Sequence, residues 1–280
     1  MRWIPLALAL AGCSNDGGPN GGGGDGDAPP AGDAPGVPVE ASAGCGMAAD
    51  IATGAFVARS VTVGGGARDY FIRLPAGYDP VRPYPIVYQQ HGCSSAPARQ
   101  DNVVPLEGQS GPDAILVRSR AAADCWDTSP NGPDIPYWDA MRADVEARFC
   151  VDTAHRFATG YSSGSFMTHR LACIRGDLFR GVATIAGGQR DNNCTGDPAA
   201  LLIHDLNDNT VNIGASEQAR DGYLARHGCT GAATMPTDQP PCVSYDGCGK
   251  PVVWCQTTGK DHARQDGLAA PIFWTFFARL

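Results

Sequence analysis

The sequence predicts an α/β fold, with a mostly parallel central sheet and helices on both of its faces. Two patterns along residues 60–280 predict it. Short apolar runs alternate with segments of helical spacing, and strands buried on both faces read as continuous apolar runs rather than alternating ones. Ahead of them, two alternating segments flank Gly64-Gly65-Gly66 and read as an opening hairpin. The third observation is Gly160-Tyr161-Ser162-Ser163-Gly164, set between an apolar run and a helical segment.

Residues 60–63 and 69–74 form the predicted hairpin, and 84–90 and 114–118 are predicted strands. Residues 137–149 read as a helix, because Trp138, Met141, Val145 and Phe149 share one stripe. Residues 156–159 are a buried strand. Residues 165–173 have helical spacing of Phe166, Met167 and Leu171. Residues 181–186, 200–204 and 252–254 are short strands. Residues 216–227 are a polar helix ending near Gly228, and 272–280 an apolar-striped closing helix.

The ends are of a different kind. Arg2 and a short apolar run over 4–10, too short to span a bilayer, lead into Leu10-Ala11-Gly12-Cys13. This resembles a bacterial lipobox, and a lipidated Cys13 would anchor the protein to a membrane without a spanning helix. An ordinary secretory peptide is the other reading. Residues 14–44 are almost wholly Gly, Pro, Ala, Asp and Asn, with no aromatic residue and no apolar period, and read as a flexible tether. Residues 45–280 suit one α/β domain.

The net charge of −8 argues against nucleic acid as a partner. Of the 11 Cys, the set without Cys13 is even in number, which in an exported chain argues for up to five disulfides. No C-x-x-C pair is present, so no metal is expected. Cys93 with Cys125 is the favoured single pair, since each follows a predicted strand.

Strand, G-x-S-x-G and helix together are the context of a nucleophile elbow, in which a sharp turn lifts the serine hydroxyl to the sheet edge. A serine needs a base, and the base needs an acid to fix its tautomer. Asp208, on the loop past residues 200–204, and His262, on the loop past 252–254, follow Ser162 in the order Ser, Asp, His. Asp205 is the nearest rival acid and is expected in the turn. Of the other histidines, His91 precedes the serine, His155 opens the elbow strand, His169 lies in the elbow helix, His204 ends a strand and His227 ends a helix. His91-Gly92-Cys93 follows a buried strand, which makes the amides of Cys93 and Ser163 the expected oxyanion donors. His91, Trp126 and Tyr161 are candidate substrate-pocket residues, with core positions the alternative for Trp126 and Trp138.

These pieces carry a resemblance. Gly44-Cys45-Gly46, residues 68–75, His91-Gly92-Cys93, Cys125-Trp126, Phe149-Cys150-Val151-Asp152, the block 156–173 extended by 179–187, the loop 204–211, and His262 with 273–277 resemble the secreted esterases grouped with polyhydroxybutyrate depolymerases and with feruloyl and acetylxylan esterases of carbohydrate esterase family one. The resemblance implies an α/β-hydrolase fold and a Ser162–His262–Asp208 triad acting on esters of polymers or plant cell walls, with no cofactor. A polyhydroxybutyrate depolymerase is the alternative substrate reading, and an inactive surface-binding lipoprotein the non-enzymatic one. A peptidase on the same fold would usually carry a large extra domain. The chain departs from the group's pattern in two places. His204-Asp205 stands where His-Gly is common. Asp261 precedes His262 where Gly is common, with Ala263-Arg264 following where Trp-Pro is common.

Overall fold

The computed structural model describes residues 38–94, 101–189, 191–230 and 234–280. The targeting segment with Cys13 and most of the tether lie outside the described residues.

Among the described residues, ten strands form one sheet: β1 (Val57–Val63), β2 (Gly66–Arg73), β3 (Tyr84–Gln90), β4 (Ile115–Ser119), β5 (Val151–Tyr161), β6 (Gly181–Ile185), β7 (Ala199–Asp205), β8 (Thr234–Pro236), β9 (Cys242–Tyr245) and β10 (Val252–Thr257). Their order is β1-β2-β4-β3-β5-β6-β7-β10-β9-β8. The six strands from β4 to β10 are parallel, the β1–β2 hairpin adds antiparallel to β4, and the β9–β8 pair adds antiparallel to β10.

Period-two alternation divides the core into two layers. After the one-turn helix α1 (Glu107–Ser110), three longer helices cover one side of the sheet: Ile86, Tyr88, Ala158, Val182, Leu202 and Trp254 meet Trp138, Met141 and Val145 of α2 (Asp134–Arg148), Met167 and Leu171 of α3 (Ser163–Ile174), and Tyr223 of α4 (Gly214–Arg226). Val87, Phe157, Ala183, Ile203 and Cys255 face the other, under Phe273, Phe276 and Phe277 of α5 (Asp266–Ala278). Both faces are covered, which is why most positions of the parallel strands are buried whichever face they point to.

Three differences from the sequence reading have physical reasons. Helix α5 starts at Asp266, not at 272, and carries Pro271 inside it. The proline cannot donate back to the preceding turn, but Ala269, Ala270, Ile272 and Phe273 are buried and hold the helix through it. The edge strands β8 and β9 are too short and polar to show a period. Cys242 sits opposite Cys255 in the β9–β10 register and is bonded to it. Finally, packing begins at Glu40, ahead of the expected start at Cys45. The Glu40 amide donates to Asp152 Oδ1 at 3.1 Å, and Ser42 Oγ donates to the Phe149 carbonyl at 2.7 Å.

Five disulfides pair Cys45–Cys150, Cys93–Cys125, Cys173–Cys194, Cys229–Cys248 and Cys242–Cys255, the second being the favoured pair. Among the described residues, no helix is long and apolar enough to cross a membrane.

Candidate active site

Ser162 stands between the end of β5 and the first residue of α3, at φ 53° and ψ −120°. This is a conformation that side chains other than glycine rarely adopt, so the surroundings must enforce it. They do so by close approach. A Cβ on Gly160 would fall on the Gly164 carbonyl, and one on Gly164 would fall on the Gln90 carbonyl. The Ser162 amide donates to the Ile185 carbonyl at 3.0 Å, which pins the turn to β6.

The structure brings the three triad candidates together. His262 Nε2 lies 2.9 Å from Ser162 Oγ, and His262 Nδ1 lies 2.8 Å from Asp208 Oδ2. The other oxygen of Asp208 accepts from the amides of Thr210 at 2.9 Å and Val211 at 2.8 Å. Burial opposes a charge on Asp208. The His262 ring and those two amides outweigh it and hold the carboxyl below its usual range. With Nδ1–H donating to an ionised carboxylate, Nε2 is left to accept the serine proton. A hydroxyl facing a carboxylate-backed imidazole is the arrangement from which serine nucleophiles act.

Asp208 has a second partner that sequence position did not single out. His204 has no exposed surface, and its Nε2 lies 2.9 Å from the Val211 carbonyl and 3.2 Å from Asp208 Oδ2. Both are acceptors, so Nε2 carries a hydrogen. Burial pushes the His204 pKa down, against the opposite pull of the Val211 carbonyl and the Asp208 carboxylate. A neutral ring donates to the carboxylate without cancelling its charge. Asp205, expected in the turn, is instead the last residue of β7, opposite Thr257 of β10, because the strand pairing runs one residue further than the apolar run; its carboxylate is directed at backbone amides and the Thr257 hydroxyl.

On the opposite flank, His91 and Trp126 are struts rather than pocket walls. His91 is fully buried, and the Ala121 amide donates to its Nε2 at 3.0 Å. The ring hydrogen therefore sits on Nδ1, which donates to the Gly92 carbonyl at 2.6 Å. Because a peptide is planar and trans, holding the Gly92 carbonyl turns the Cys93 amide the opposite way. Trp126 is 7% exposed, and its Nε1–H donates to the His91 carbonyl at 2.9 Å. The Trp126 amide donates to Ser163 Oγ at 2.9 Å. Ser163 opens α3, so its own amide has no partner within the helix. The sequence could not tell these inward faces from outward ones.

Tyr161 lies between the two flanks. Its ring lies 5.4 Å from that of His262, and its hydroxyl donates to the His262 carbonyl at 3.1 Å. A Cβ on Gly92 would come within 2.6 Å of the Tyr161 ring, so any larger residue there would have to displace that ring. Beside the elbow, Phe166, Gly188, Gln189, Asn212 and Gln218 line a cavity of about 460 Å³.

No family model matches the chain. It is 32% identical over 232 residues to feruloyl esterase C of Emericella nidulans, covering 75% of this chain and 83% of the relative. It is 30% identical over 265 residues to feruloyl esterase D of Neurospora crassa, covering 85% and 90%. Among solved structures, an acetyl xylan esterase from Aspergillus awamori superposes with a TM-score of 0.60 at 16% identity, covering 79% of this chain and 99% of that one. A ferulic acid esterase from Anaeromyces mucronatus does so with a TM-score of 0.54 at 16% identity, covering 86% and 99%. The two structures share the α/β-hydrolase fold, and the sequence relatives carry the kinship further: the chain belongs to the feruloyl esterase group of carbohydrate esterases, serine hydrolases that act on carboxylic ester bonds.

Proposed function

We propose that the protein is an exported feruloyl-type esterase in which Ser162 is the nucleophile, His262 the general base and Asp208 the acid that orients it. The observation that carries this reading is the unbroken hydrogen-bond chain from Ser162 Oγ through His262 to Asp208, with steps of 2.9 and 2.8 Å. In the first half-reaction His262 Nε2 takes the Ser162 proton as Oγ attacks the ester carbonyl. The oxygen that gains charge is held by the amides of Cys93 and Ser163, donors that need no reorganisation when the charge appears. The imidazolium, stabilised by Asp208, then gives its proton to the departing alcohol. In the second half-reaction a water, deprotonated by His262, attacks the acyl-enzyme and releases the acid and free Ser162.

The relatives named feruloyl esterases support an aromatic acyl ester of the plant cell wall as substrate. The Phe166-lined cavity beside the elbow offers an aromatic surface among carboxamides for such a group. Export is supported by five disulfides, which persist in oxidising compartments. Anchoring through Cys13 rests on the lipobox resemblance alone.

The test is a substrate panel on the purified protein: methyl ferulate, p-nitrophenyl acetate, acetylated xylan and polyhydroxybutyrate. Methyl ferulate and the short aryl ester are expected to be cleaved, with at least about a thousandfold loss in Ser162→Ala. Cleavage of the polyester without methyl ferulate would overturn the substrate class, and an active Ser162→Ala would overturn the mechanism. In fractionated expressing cells, Cys13→Ser is expected to move from the membrane to the soluble fraction, and unchanged fractionation would overturn the anchor.

A further inference from the structure

Two carboxylates outside the Ser162–His262–Asp208 chain tie together the loops that carry its acid and its base. Strands β7 and β10 run in register as far as Thr257 opposite Asp205, and the Leu206 amide donates to the Thr257 carbonyl at 2.9 Å. Beyond that point no strand pairing is left to hold Asp208 near His262. Each loop instead sends an aspartate to the other. Asp205 Oδ2 accepts from Thr257 Oγ1 at 2.9 Å and from the Lys260 amide at 3.0 Å, and the Asp261 amide also donates to this carboxylate. In return, Asp261 Oδ1 accepts from the Asn209 amide at 3.1 Å, and Asp261 Oδ2 from Asn209 Nδ2 at 3.0 Å. The Gly259 amide adds a bond to Asn207 Oδ1 at 3.2 Å.

The bonds fall next to the residues that matter. Asn209 follows Asp208, and Asp261 precedes His262. Asp261 also has a φ of 54°, a left-handed conformation in which a glycine would be at ease. An aspartate there carries strain that persists only where surrounding contacts enforce it. The two bonds to Asn209 are such contacts, and a glycine would not make them. Asp205 is 1% exposed, so its carboxylate is fixed by its donors rather than by water.

We propose that Asp205 and Asp261 form a reciprocal carboxylate brace, and that both are positioning residues for the Asp208–His262 pair. The proposal rests on reading those two as acid and base. The brace touches neither substrate nor Ser162. It sets the approach of one loop to the other, and misplacement of a reacting group by about 1 Å costs on the order of a hundredfold in rate.

The decisive variant is Asp261→Gly, which removes the carboxylate while relieving the left-handed strain. Its kcat on p-nitrophenyl acetate is expected to fall about tenfold with KM within about twofold, because alignment is lost and binding is not. Labelling of Ser162 by a fluorophosphonate, which needs the base but no ester substrate, should slow in parallel, with Tm unchanged or raised. Asp261→Asn, which keeps an acceptor for the Asn209 amide and tolerates the left-handed backbone, should restore most of the rate. Asp205→Asn should lower kcat by a similar factor. Full kcat and full labelling rate in Asp261→Gly would overturn the brace, as would a KM rise in place of the kcat loss. His262→Ala separates the two levels: if it is active, the acid–base reading itself fails, and if it is dead while Asp261→Gly is fully active, only the brace fails.

Discussion

The two flanks of Ser162 are held by different chemistry. On the oxyanion side, the Cys93–Cys125 disulfide, the indole N–H of Trp126 and the amides of Ala121 and Trp126 fix the backbone around His91, Gly92 and Ser163. On the other side, the carboxylates of Asp205 and Asp261 tie together the loops of Asp208 and His262, and the buried His204 stands behind Asp208. In the proposed mechanism the first flank presents amides to a charge that exists only in the transition state, so rigidity is its whole task. In that mechanism the second moves a proton, and carboxylates hydrogen-bonded across its loops hold the groups that do so. Reductant should therefore find one flank and acid the other.

The largest expected effect breaks the acid–base side from behind. His204→Ala removes the donor at 3.2 Å from Asp208 Oδ2 and leaves Ser216 Oγ without its 2.6 Å partner. We expect kcat to fall about a hundredfold with a modest rise in KM, from a carboxylate free to turn away from His262. Stopped-flow turnover of p-nitrophenyl acetate beside a near-ultraviolet circular dichroism spectrum checks it, and wild-type kcat with a native spectrum would remove His204 from the account.

A middle-sized effect is expected on the covalent side. In Cys93→Ser with Cys125→Ser, the bond from His91 to the Gly92 carbonyl and those of Trp126 remain. Loss of the disulfide should then cost about tenfold in kcat, short of the hundredfold or more that follows outright loss of an oxyanion donor. Steady-state kinetics with and without reductant measure it, since the variant should have become indifferent to dithiothreitol.

The smallest effect sharpens the contrast by pH. Burial raises the Asp205 pKa, but the amides of Asn207, Lys260 and Asp261 with the Thr257 hydroxyl outweigh it, so its folded-state value lies below 3.8. A depressed carboxylate stabilises the fold fully above its unfolded pKa, and that contribution fades as pH falls through the folded value. The Tm gap between wild type and Asp205→Asn should be about 2–4 °C at pH 7 and should narrow as pH falls below the ordinary carboxylate range. Calorimetry across that range checks it; a gap that persists undiminished in acid would mean that the side chain is not ionised in the fold.

How much could be read from the chain alone follows the same division between local and distant. The elbow at Ser162 was legible because strand, glycines and helix are contiguous in sequence. Asp208 and His262 came into view through their order along the chain and their places past strand ends. His204 did not, because its part depends on β7 ending under the acid loop, which burial and not sequence reveals. Asp205 read as a rival acid and Asp261 as a departure from a common glycine, and neither showed its part as a brace for the same reason: their partners lie 52 to 55 positions away. His91 and Trp126 were placed at the pocket because chemistry-bearing rings draw attention there, while the direction in which a ring points is set by tertiary packing.

The bridge between Cys45 and Cys150 bears on how the molecule can be held. It joins the N-terminal stretch, a few residues past its first packed residue Glu40, to the foot of β5, whose far end leads into Ser162. A pull applied upstream of residue 45 meets a covalent stop at that foot, so the load enters the middle of the sheet at the end remote from the working serine. Immobilisation through the N-terminal side should thus leave the chemical edge unstrained and facing outward, whereas a linkage near the closing loops would draw directly on the groups that do the work.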